Sequence, residues 1–436
     1  MDVSYWRSRP QRGWLGGNAV ELLENGEEYF PAVCEAISEA KHEVLIETFI
    51  LFEDKVGLEL QRVLIDAARR GVRIDLSVDG WGSPSLSPQY IGALAEAGVQ
   101  LRAFDPPPRW SPGRLHMFRR MHRKIVVADG RVAFLGGINF SADHLDDFGP
   151  EAKQDYSIRI EGPLAARIRG FAIAQLDEPG RRGRVRLPMP EPAGNAEAMF
   201  VTRDNSRHRD AIEREYRAAI RAARHEVIIA NAYFFPGYRL LKAMRYAAKQ
   251  GVRVNLILQG QPDMPIVKYA AATLHAYLMR AGVQIHEYCK RPLHGKVALI
   301  DDEWATVGSS NLDPLSLALN LEANVIVRDR AFAQELRTAL ERLMREECRQ
   351  VQWSDVAERR GGWLALVDVI AYHVTRHFPS WAGWLPAHTP RVQAVAHQAI
   401  AHEMVDASDR ARTEAPAALA PPADEAHAED PLARAR

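Results

Sequence analysis

Apolar positions along the chain fall into two successive series that repeat one order of elements. The first series places the apolar run VLIETFILF at residues 44–52 and, after a helical pattern, the strand-like GVRIDLSVDG at 71–80. The second series repeats this with VIIANAYFF at 227–235 and GVRVNLILQG at 251–260. Strands that alternate with helices at this spacing predict a mixed β-sheet with helices on both faces. The pattern therefore predicts an α/β protein built from two similar lobes.

The repeat also sets the expected domain boundaries. The segment that joins the copies is rich in Pro, Gly and Arg and lacks apolar periodicity, which predicts an exposed linker. Trp363–Pro386 combines three Trp residues with basic and apolar positions, so it is expected to be a helical segment that either contacts a bilayer interface or packs on the second lobe. We expect an N-terminal segment at 1–16, a first lobe at 17–177, a linker at 178–205, a second lobe at 206–350, the Trp-rich segment at 351–405 and a disordered tail at 406–436.

Composition narrows the function classes. Lys and Arg together number 56 and balance 56 Asp and Glu residues, so no overall field attracts the chain to nucleic acid. The three cysteines, Cys34, Cys289 and Cys348, are widely spaced and form no metal-ligand pattern, which favours a reducing compartment. No apolar run approaches the roughly 20 residues that cross a bilayer. We therefore expect a cytoplasmic protein that contacts membranes at most peripherally.

A motif of His, Lys and Asp occurs once in each copy, with identical spacing. His and Lys stand two residues apart on a strand, so both side chains point to one face. A Gly or Ser and an Asn follow at the same offsets in both copies, where they can bind a substrate phosphate. The candidate residues are His122, Lys124, Asp129, Gly137 and Asn139 in the first copy, and His294, Lys296, Asp301, Ser309 and Asn311 in the second.

These residue types suit substitution at a phosphodiester. Negative charge builds on the non-bridging oxygens, and the lysines and asparagines can stabilise it as fixed donors. One neutral imidazole can attack phosphorus, while a second, protonated imidazole donates to the leaving oxygen. We interpret the two Asp residues of the motif as supports of the site, not as acids or bases. A single His-x-Lys pair is usually only solvated, but two copies with the same flanking residues indicate function.

Acidic residues also begin the strand after each loop. Asp155 and Glu322 can each accept from the Nδ1–H of a catalytic histidine and orient its ring, although a surface carboxylate is the alternative. Basic residues near the first motif can hold lipid headgroups or be solvated; they are Arg109, Arg114, Arg119, Arg120 and Arg123. The remaining histidines with no partner pattern are treated as ordinary; they are His116, His144, His208 and His286.

The duplicated motif resembles the phospholipase D superfamily. Longer phrases, such as GGINFSADH and VGSSNLDPLSLALNLEANV, are similar to bacterial cardiolipin synthases of the B type, and the likeness spans residues 17–392. This resemblance implies two α/β lobes that share one active site. It also implies phosphatidyl transfer from phosphatidylglycerol to a second phosphatidylglycerol through a phosphatidyl-histidine, with glycerol released and no metal or nucleotide cofactor. His122 would be the nucleophile, His294 the acid and then the base, with Asp155 and Glu322 orienting the rings.

Other functions stay open at this point. A hydrolase of the same fold would give water the second step, and phosphatidylethanolamine or another alcohol would serve as a different acceptor. A nuclease needs a basic groove that the balanced charge does not indicate, and a non-catalytic scaffold would not need two intact motifs. We expect phospholipid substrates, peripheral association with the cytoplasmic side of the cell membrane, no nucleic-acid partner and no obligate protein partner.

Overall fold

A computed structural model describes residues 13–83, 86–106, 120–176, 178–260, 274–354 and 392–394. Several predictions lie outside these residues: those for Trp363–Pro386, for the tail at 406–436, and for Arg109, Arg114, Arg119 and His116.

The described residues form these strands: β1 (Trp14–Glu24), β2 (Glu43–Thr48), β3 (Arg73–Asp79), β4 (Gln100–Phe104), β5 (Ile125–Ala128), β6 (Val132–Gly136), β7 (Tyr156–Glu161), β8 (Ala196–Arg203), β9 (Glu226–Asn231), β10 (Arg253–Gln259), β11 (Gln284–Tyr288), β12 (Lys296–Ile300), β13 (Trp304–Gly308), β14 (Glu322–Arg328), β15 (Cys348–Gln350) and β16 (Val392–Ala394). They form these α-helices: α1 (Asn25–Glu39), α2 (Lys55–Arg69), α3 (Pro88–Glu96), α4 (Pro163–Gln175), α5 (Glu178–Arg181), α6 (Ala211–Ala222), α7 (Tyr238–Lys249), α8 (Pro314–Ala318) and α9 (Arg330–Arg342).

The strands form one continuous sheet in the order β15-β11-β10-β9-β12-β13-β14-β8-β1-β7-β6-β5-β2-β3-β4-β16. The order β1-β7-β6-β5-β2-β3-β4 is repeated as β8-β14-β13-β12-β9-β10-β11, and the antiparallel pair β1–β8 joins the two halves. In each half the last three strands are parallel and the others antiparallel. The prediction of two similar lobes with a mixed, helix-flanked sheet is confirmed.

Three boundaries differ from those expected. The predicted linker at 178–205 is too long, because Ala196–Arg203 forms β8 and pairs with β1 and β14. β1 begins at Trp14, inside the predicted N-terminal segment. Within the predicted helical segment at 351–405, Val392–Ala394 is a strand on β4. Each of these segments is a strand because it pairs with a neighbouring strand. A short segment carries too little periodicity for its sequence to predict such pairing.

Apolar side chains form a core that both lobes share. Helices α4 and α9 contribute Ile168 and Leu336, which are fully buried together with Leu135 of β6 and Val307 of β13. Separate cores lie under α1 and α2 in the first lobe and under α6 and α7 in the second. Removing a buried Leu such as Leu336 should cost about 2–5 kcal/mol. The lobes are therefore held against each other by apolar packing, which fixes the loops at their boundary.

None of the helices in the described part of the chain is long and apolar enough to cross a bilayer.

Candidate active site

The two motifs meet at the boundary between the lobes. His122 immediately precedes the segment that leads into β5, and His294 does the same for β12. Strand β5 pairs antiparallel with β2, and β12 pairs antiparallel with β9. Two backbone contacts then join the lobes next to the histidines. The His122 N–H donates to Leu321 O at 3.0 Å, and the His294 N–H donates to Gln154 O at 2.8 Å. The fold thus brings the two copies of the motif to one place.

Each histidine is held by a carboxylate of the other lobe. His122 Nδ1 lies 3.1 Å from Glu322 of β14, and His294 Nδ1 lies 2.5 Å from Asp155 Oδ2, next to β7. Both carboxylates are fully buried. A carboxylate accepts only, so each Nδ1 carries the hydrogen. This tautomer leaves the Nε2 lone pair of each ring for chemistry.

The loops behind these carboxylates differ between the lobes. In the first lobe a Cβ at Gly137 would overlap the Asp155 carboxylate, so the position has no side chain. In the second lobe Ser309 stands at the equivalent position, and its hydroxyl donates to Glu322 while accepting from the Ala323 N–H at 3.1 Å. Gly137 and Ser309, which were predicted to bind a substrate phosphate, thus lie directly against the two carboxylates that hold the histidines.

Both lysines of the motif are buried beside the histidines. Lys124 Nζ donates to His122 O at 2.8 Å, and Lys296 Nζ donates to His294 O. Burial lowers the pKa of Lys124 to about 7 and that of Lys296 to about 8, although the nearby carboxylates oppose it. The two ammonium groups are therefore charged at mildly acidic pH, and an incoming phosphate would favour that charged form.

The histidines have lowered pKa values for the same reason. Burial lowers the pKa of His122, against the opposing attraction of Glu322. Burial lowers the pKa of His294 well below its ordinary value, and Lys296 and other cations add to this. Burial alone would raise the pKa of Glu322, but His122 and its hydrogen bond hold it below its usual range. Both imidazoles are therefore neutral near pH 7 before substrate binds, and Glu322 is ionised.

Asp129 and Asp301 lie at the far ends of β5 and β12. Asp129 accepts from the backbone N–H groups of residues 41–43 at 2.8–2.9 Å, and Asp301 accepts from those of residues 224–226. Both have positive φ, 52° and 51°. Asp129 stands seven positions after His122 in the chain, at most about 23 Å away at about 3.3 Å per residue. The two carboxylates clamp the turn that precedes β2 or β9, as residues that support the site without acting as acids or bases would do, so they are not counted with the groups that contact the substrate.

The asparagines of the motif are buried close to the histidines. The Asn139 side-chain oxygen accepts from the Ile50 N–H at 3.2 Å, which leaves its amide group as the donor. The side-chain oxygen of Asn311 is buried and has no hydrogen-bond partner among the described residues. Amide groups in this position can donate to a phosphate oxygen.

His144 was treated as ordinary, and the structure corrects this. Its ring is fully buried, its Nε2 accepts from the Asn139 N–H at 3.2 Å, and its Nδ1 lies 3.9 Å from Asp155 Oδ2. The ring also makes an edge contact with His294, with centroids 5.5 Å apart. No sequence signal indicated this, because the equivalent position of the second copy is Ser316.

His144, Asp155 and His294 offer three donor atoms within 4.8 Å of one another, as a metal site would. Ligands around a zinc ion with bonds of about 2.0–2.1 Å stand roughly 3.3 Å apart. His294 and Asp155 approach to 2.5 Å, closer than two ligands of one ion. The contact between His294 and Asp155 is that of a hydrogen bond, and the His144 ring packs beside this pair with its Nδ1 3.9 Å from Asp155 Oδ2.

Two of the arginines near the first motif are buried, which corrects the expectation that they hold headgroups or are solvated. Arg123 Nε donates to Glu47 at 2.7 Å, and Arg120 Nε donates to Asp79 at 3.0 Å. Asp79 also accepts from the Met121 N–H at 2.9 Å, immediately before His122. These arginines therefore position the backbone that carries His122.

The chain is similar to known proteins along most of its length. A family model described as "Cardiolipin synthase, PLD-like domain" matches residues 33–167 and 216–344, one copy of the motif in each range. Cardiolipin synthase B of Salmonella typhi is 55% identical over 388 residues, covering 88% of this chain and 94% of that protein. The protein of the same name from Escherichia coli (strain K12) is 52% identical over 408 residues, with coverage of 92% and 98%.

A solved structure supports the fold. The crystal structure of phosphatidylserine synthase from Haemophilus influenzae Rd KW20 superposes with a TM-score of 0.63 at 13% identity, and the match covers 82% of this chain and 95% of that one. At this identity the likeness concerns the fold alone.

Proposed function

The chain belongs to the family of cardiolipin synthases with phospholipase D-like domains, and from this premise we propose that it transfers a phosphatidyl group from phosphatidylglycerol to a second phosphatidylglycerol, releasing glycerol. The observation that carries the proposal is the crossed pair of contacts, His122 with Glu322 and His294 with Asp155. Two imidazoles at one boundary, each with a free Nε2, suit a double displacement at a single phosphodiester.

In the first step His122 is the nucleophile. Its Nε2 forms a bond to phosphorus, the bond from phosphorus to the glycerol oxygen breaks, and protonated His294 gives its Nε2 proton to that oxygen. Positive charge grows on the His122 ring, and ionised Glu322 beside Nδ1 stabilises it. The negative phosphate raises the pKa of His294 on binding, because an opposite charge favours the imidazolium.

In the second step His294 is the base. It takes the proton from a hydroxyl of the second phosphatidylglycerol, whose oxygen bonds to phosphorus as the bond to His122 breaks. Both histidines return to their starting states, and the products are cardiolipin and one glycerol. Asp155 orients His294 through both steps by accepting from Nδ1.

Four donors stabilise the negative charge on the phosphate oxygens. Lys124 and Lys296 supply ammonium groups, and Asn139 and Asn311 supply amides, so the reaction needs neither metal nor nucleotide to neutralise this charge. Gly137 and Ser309 fit the loops to the two carboxylates. Asp129 and Asp301 support the strands from a distance.

The same covalent intermediate also permits other acceptors. Water would give phosphatidic acid. Phosphatidylethanolamine carries an amine and no free hydroxyl, so as acceptor it would give an N-phosphatidyl adduct, and as donor to phosphatidylglycerol it would give cardiolipin with release of ethanolamine. We propose phosphatidylglycerol as the acceptor, with the protein acting peripherally at the cytoplasmic side of the cell membrane and without a nucleic-acid or obligate protein partner.

The test incubates the purified full chain with phosphatidylglycerol that carries a labelled glycerol headgroup, alone and with phosphatidylethanolamine, in ¹⁸O-water. Mass spectrometry of the lipids should find cardiolipin and free labelled glycerol in equal amounts. Phosphatidic acid that carries ¹⁸O as the main product would identify a hydrolase. Absence of glycerol release would contradict the proposal. The double variant His122→Ala/His294→Ala is the matched control.

A further inference from the structure

Four large aromatic side chains are exposed in loops beside the histidines. Phe52, Trp81, Phe148 and Tyr233 are 38%, 39%, 51% and 47% exposed, and we call them the aromatic rim. Scattered exposed aromatics need no explanation. Residues of this size that surround one site point to a surface that is covered during function.

Backbone contacts tie Phe52 and Trp81 to the site. The Phe52 N–H donates to Phe140 O at 3.0 Å, and Phe140 follows the candidate donor Asn139. The Trp81 N–H donates to Asp79 at 2.9 Å, and the same carboxylate holds the N–H of Met121, the residue before His122.

Tyr233 and Phe148 complete the rim. Tyr233 follows Ala232, whose N–H donates to Gly295 O at 3.1 Å, one residue after His294. Phe148 ends a short turn that two ion pairs fasten: Asp147 to Lys55, at the start of α2 after Phe52, and Asp146 to Arg291, close to His294. The rim therefore includes residues of both lobes.

Among the described residues, several charged side chains in these loops pair with one another. Besides the two ion pairs of the Phe148 turn, Lys153 pairs with Asp143. A nucleic acid or an acidic protein would require unpaired positive charge here. Trp, Tyr and Phe instead favour the boundary between headgroups and acyl chains, where an apolar ring meets polar groups.

We propose that the aromatic rim docks this face of the molecule on a phospholipid bilayer. This inference rests on the proposed function for its purpose: a lipid phosphate can reach His122 and His294 while its acyl chains stay in the membrane. Docking comes from ring burial and not from net charge, so it should resist salt.

The experiment is co-sedimentation of the full chain with vesicles of phosphatidylglycerol and phosphatidylcholine. The triple variant Phe52→Ser/Trp81→Ser/Phe148→Ser should lose vesicle binding by about tenfold or more, because it removes three rings that would be buried in the bilayer; a tenfold loss corresponds to about 1.4 kcal/mol in total. Tyr246→Ser and Trp353→Ser are matched controls, because these aromatics are 58% and 47% exposed on other elements. Binding of the native chain should change less than about twofold between 0.1 M and 1 M salt.

Two results would overturn the proposal: binding of the triple variant at the level of the native chain, or binding of the native chain that disappears in high salt. If the triple variant unfolds at a lower temperature than the native chain, the binding measurement is repeated with each single Ser variant. A monomeric short-chain phosphatidylglycerol separates this proposal from the proposed function. The double variant Phe52→Ser/Phe148→Ser, which keeps the Trp81 ring that Arg120 stacks on, should transfer it as well as the native chain does. Failure of the native chain on this lipid and on vesicles, with vesicle binding intact, would contradict the proposed function alone.

Discussion

The two lobes follow the same chain path, yet they hold the partner histidine by different means. The first lobe presents Asp155 to His294, with no side chain at Gly137 and with His144 behind the carboxylate. The second lobe presents Glu322 to His122, with the Ser309 hydroxyl bonded to the carboxylate.

This difference shows that the loop residue and the carboxylate are matched. Asp is one methylene shorter than Glu, so its carboxylate lies nearer the loop and leaves no room for a Cβ at Gly137. The longer Glu322 leaves room for Ser309, and the hydroxyl then supplies a hydrogen bond that helps to hold the pKa of Glu322 down. The half-site with the firmly ionised carboxylate is the one that can best stabilise a positive His122, which suits the nucleophile.

The largest expected effect is loss of either histidine. His122→Ala and His294→Ala should each lower phosphatidyl transfer by about 10³-fold, since each removes a covalent or proton-transfer step. A nitrophenyl phosphodiester substrate separates the roles, because its leaving group needs no acid. His294→Ala should then accumulate a phosphatidyl adduct on His122 by intact mass, and His122→Ala should not. The reverse pattern would exchange the roles of the two half-sites.

Gly137→Ser should be the next most damaging change. The added side chain displaces the Asp155 carboxylate from His294, and we expect kcat to fall by about 10²-fold. Ser309→Gly should lower kcat only about tenfold, as expected for loss of one hydrogen bond to a charged group. Gly170→Ser is the matched control, because a Cβ there meets nothing within 4 Å. Equal effects at Gly137 and Ser309 would contradict the matching of loop and carboxylate.

His144 should have an effect confined to the His294 half-site. Burial lowers the pKa of His144 to about 3, so the ring is neutral, and with Nε2 accepting from Asn139 its Nδ1–H faces Asp155. His144→Ala should lower kcat about tenfold and move the acidic limb of the pH–rate profile upward, because Asp155 loses a dipole that favours its charged form. Ser316→Ala should leave the profile unchanged. A lower thermal midpoint with an unmoved pH profile would mean that His144 only packs.

The smallest effect is the pH dependence that both lobes share. Lys124 and Lys296 lose their protons as pH rises through about 7 and about 8, so kcat/KM should decline across that range as two donors become neutral. Lys124→Arg keeps the charge at high pH, and its alkaline limb should lie higher although its maximal rate is lower. A kcat/KM that stays flat to about pH 10, the ordinary range of lysine, would contradict this assignment.

The repeat and its chemistry could be predicted from the sequence because they are local. Alternating strands and helices, and identical spacing from His122 to Asn139 and from His294 to Asn311, depend only on the periods of strands and turns. These features were sufficient to predict the two-lobe fold and to select the histidines and lysines of the site. β8 escaped prediction because its pairing with β1 and β14 is a contact between distant segments.

Only the tertiary structure decided which carboxylate serves which histidine. His294 and Asp155 are 139 residues apart, and His122 and Glu322 are 200 residues apart, in opposite lobes. The shared apolar core sets how the lobes face each other, and that arrangement crosses the pairs, places His144 against Asp155 and buries Arg120 and Arg123. No local sequence pattern predicts such contacts, because they arise from the packing of whole sheets. The residues able to do the chemistry, in contrast, can be identified within each copy of the motif.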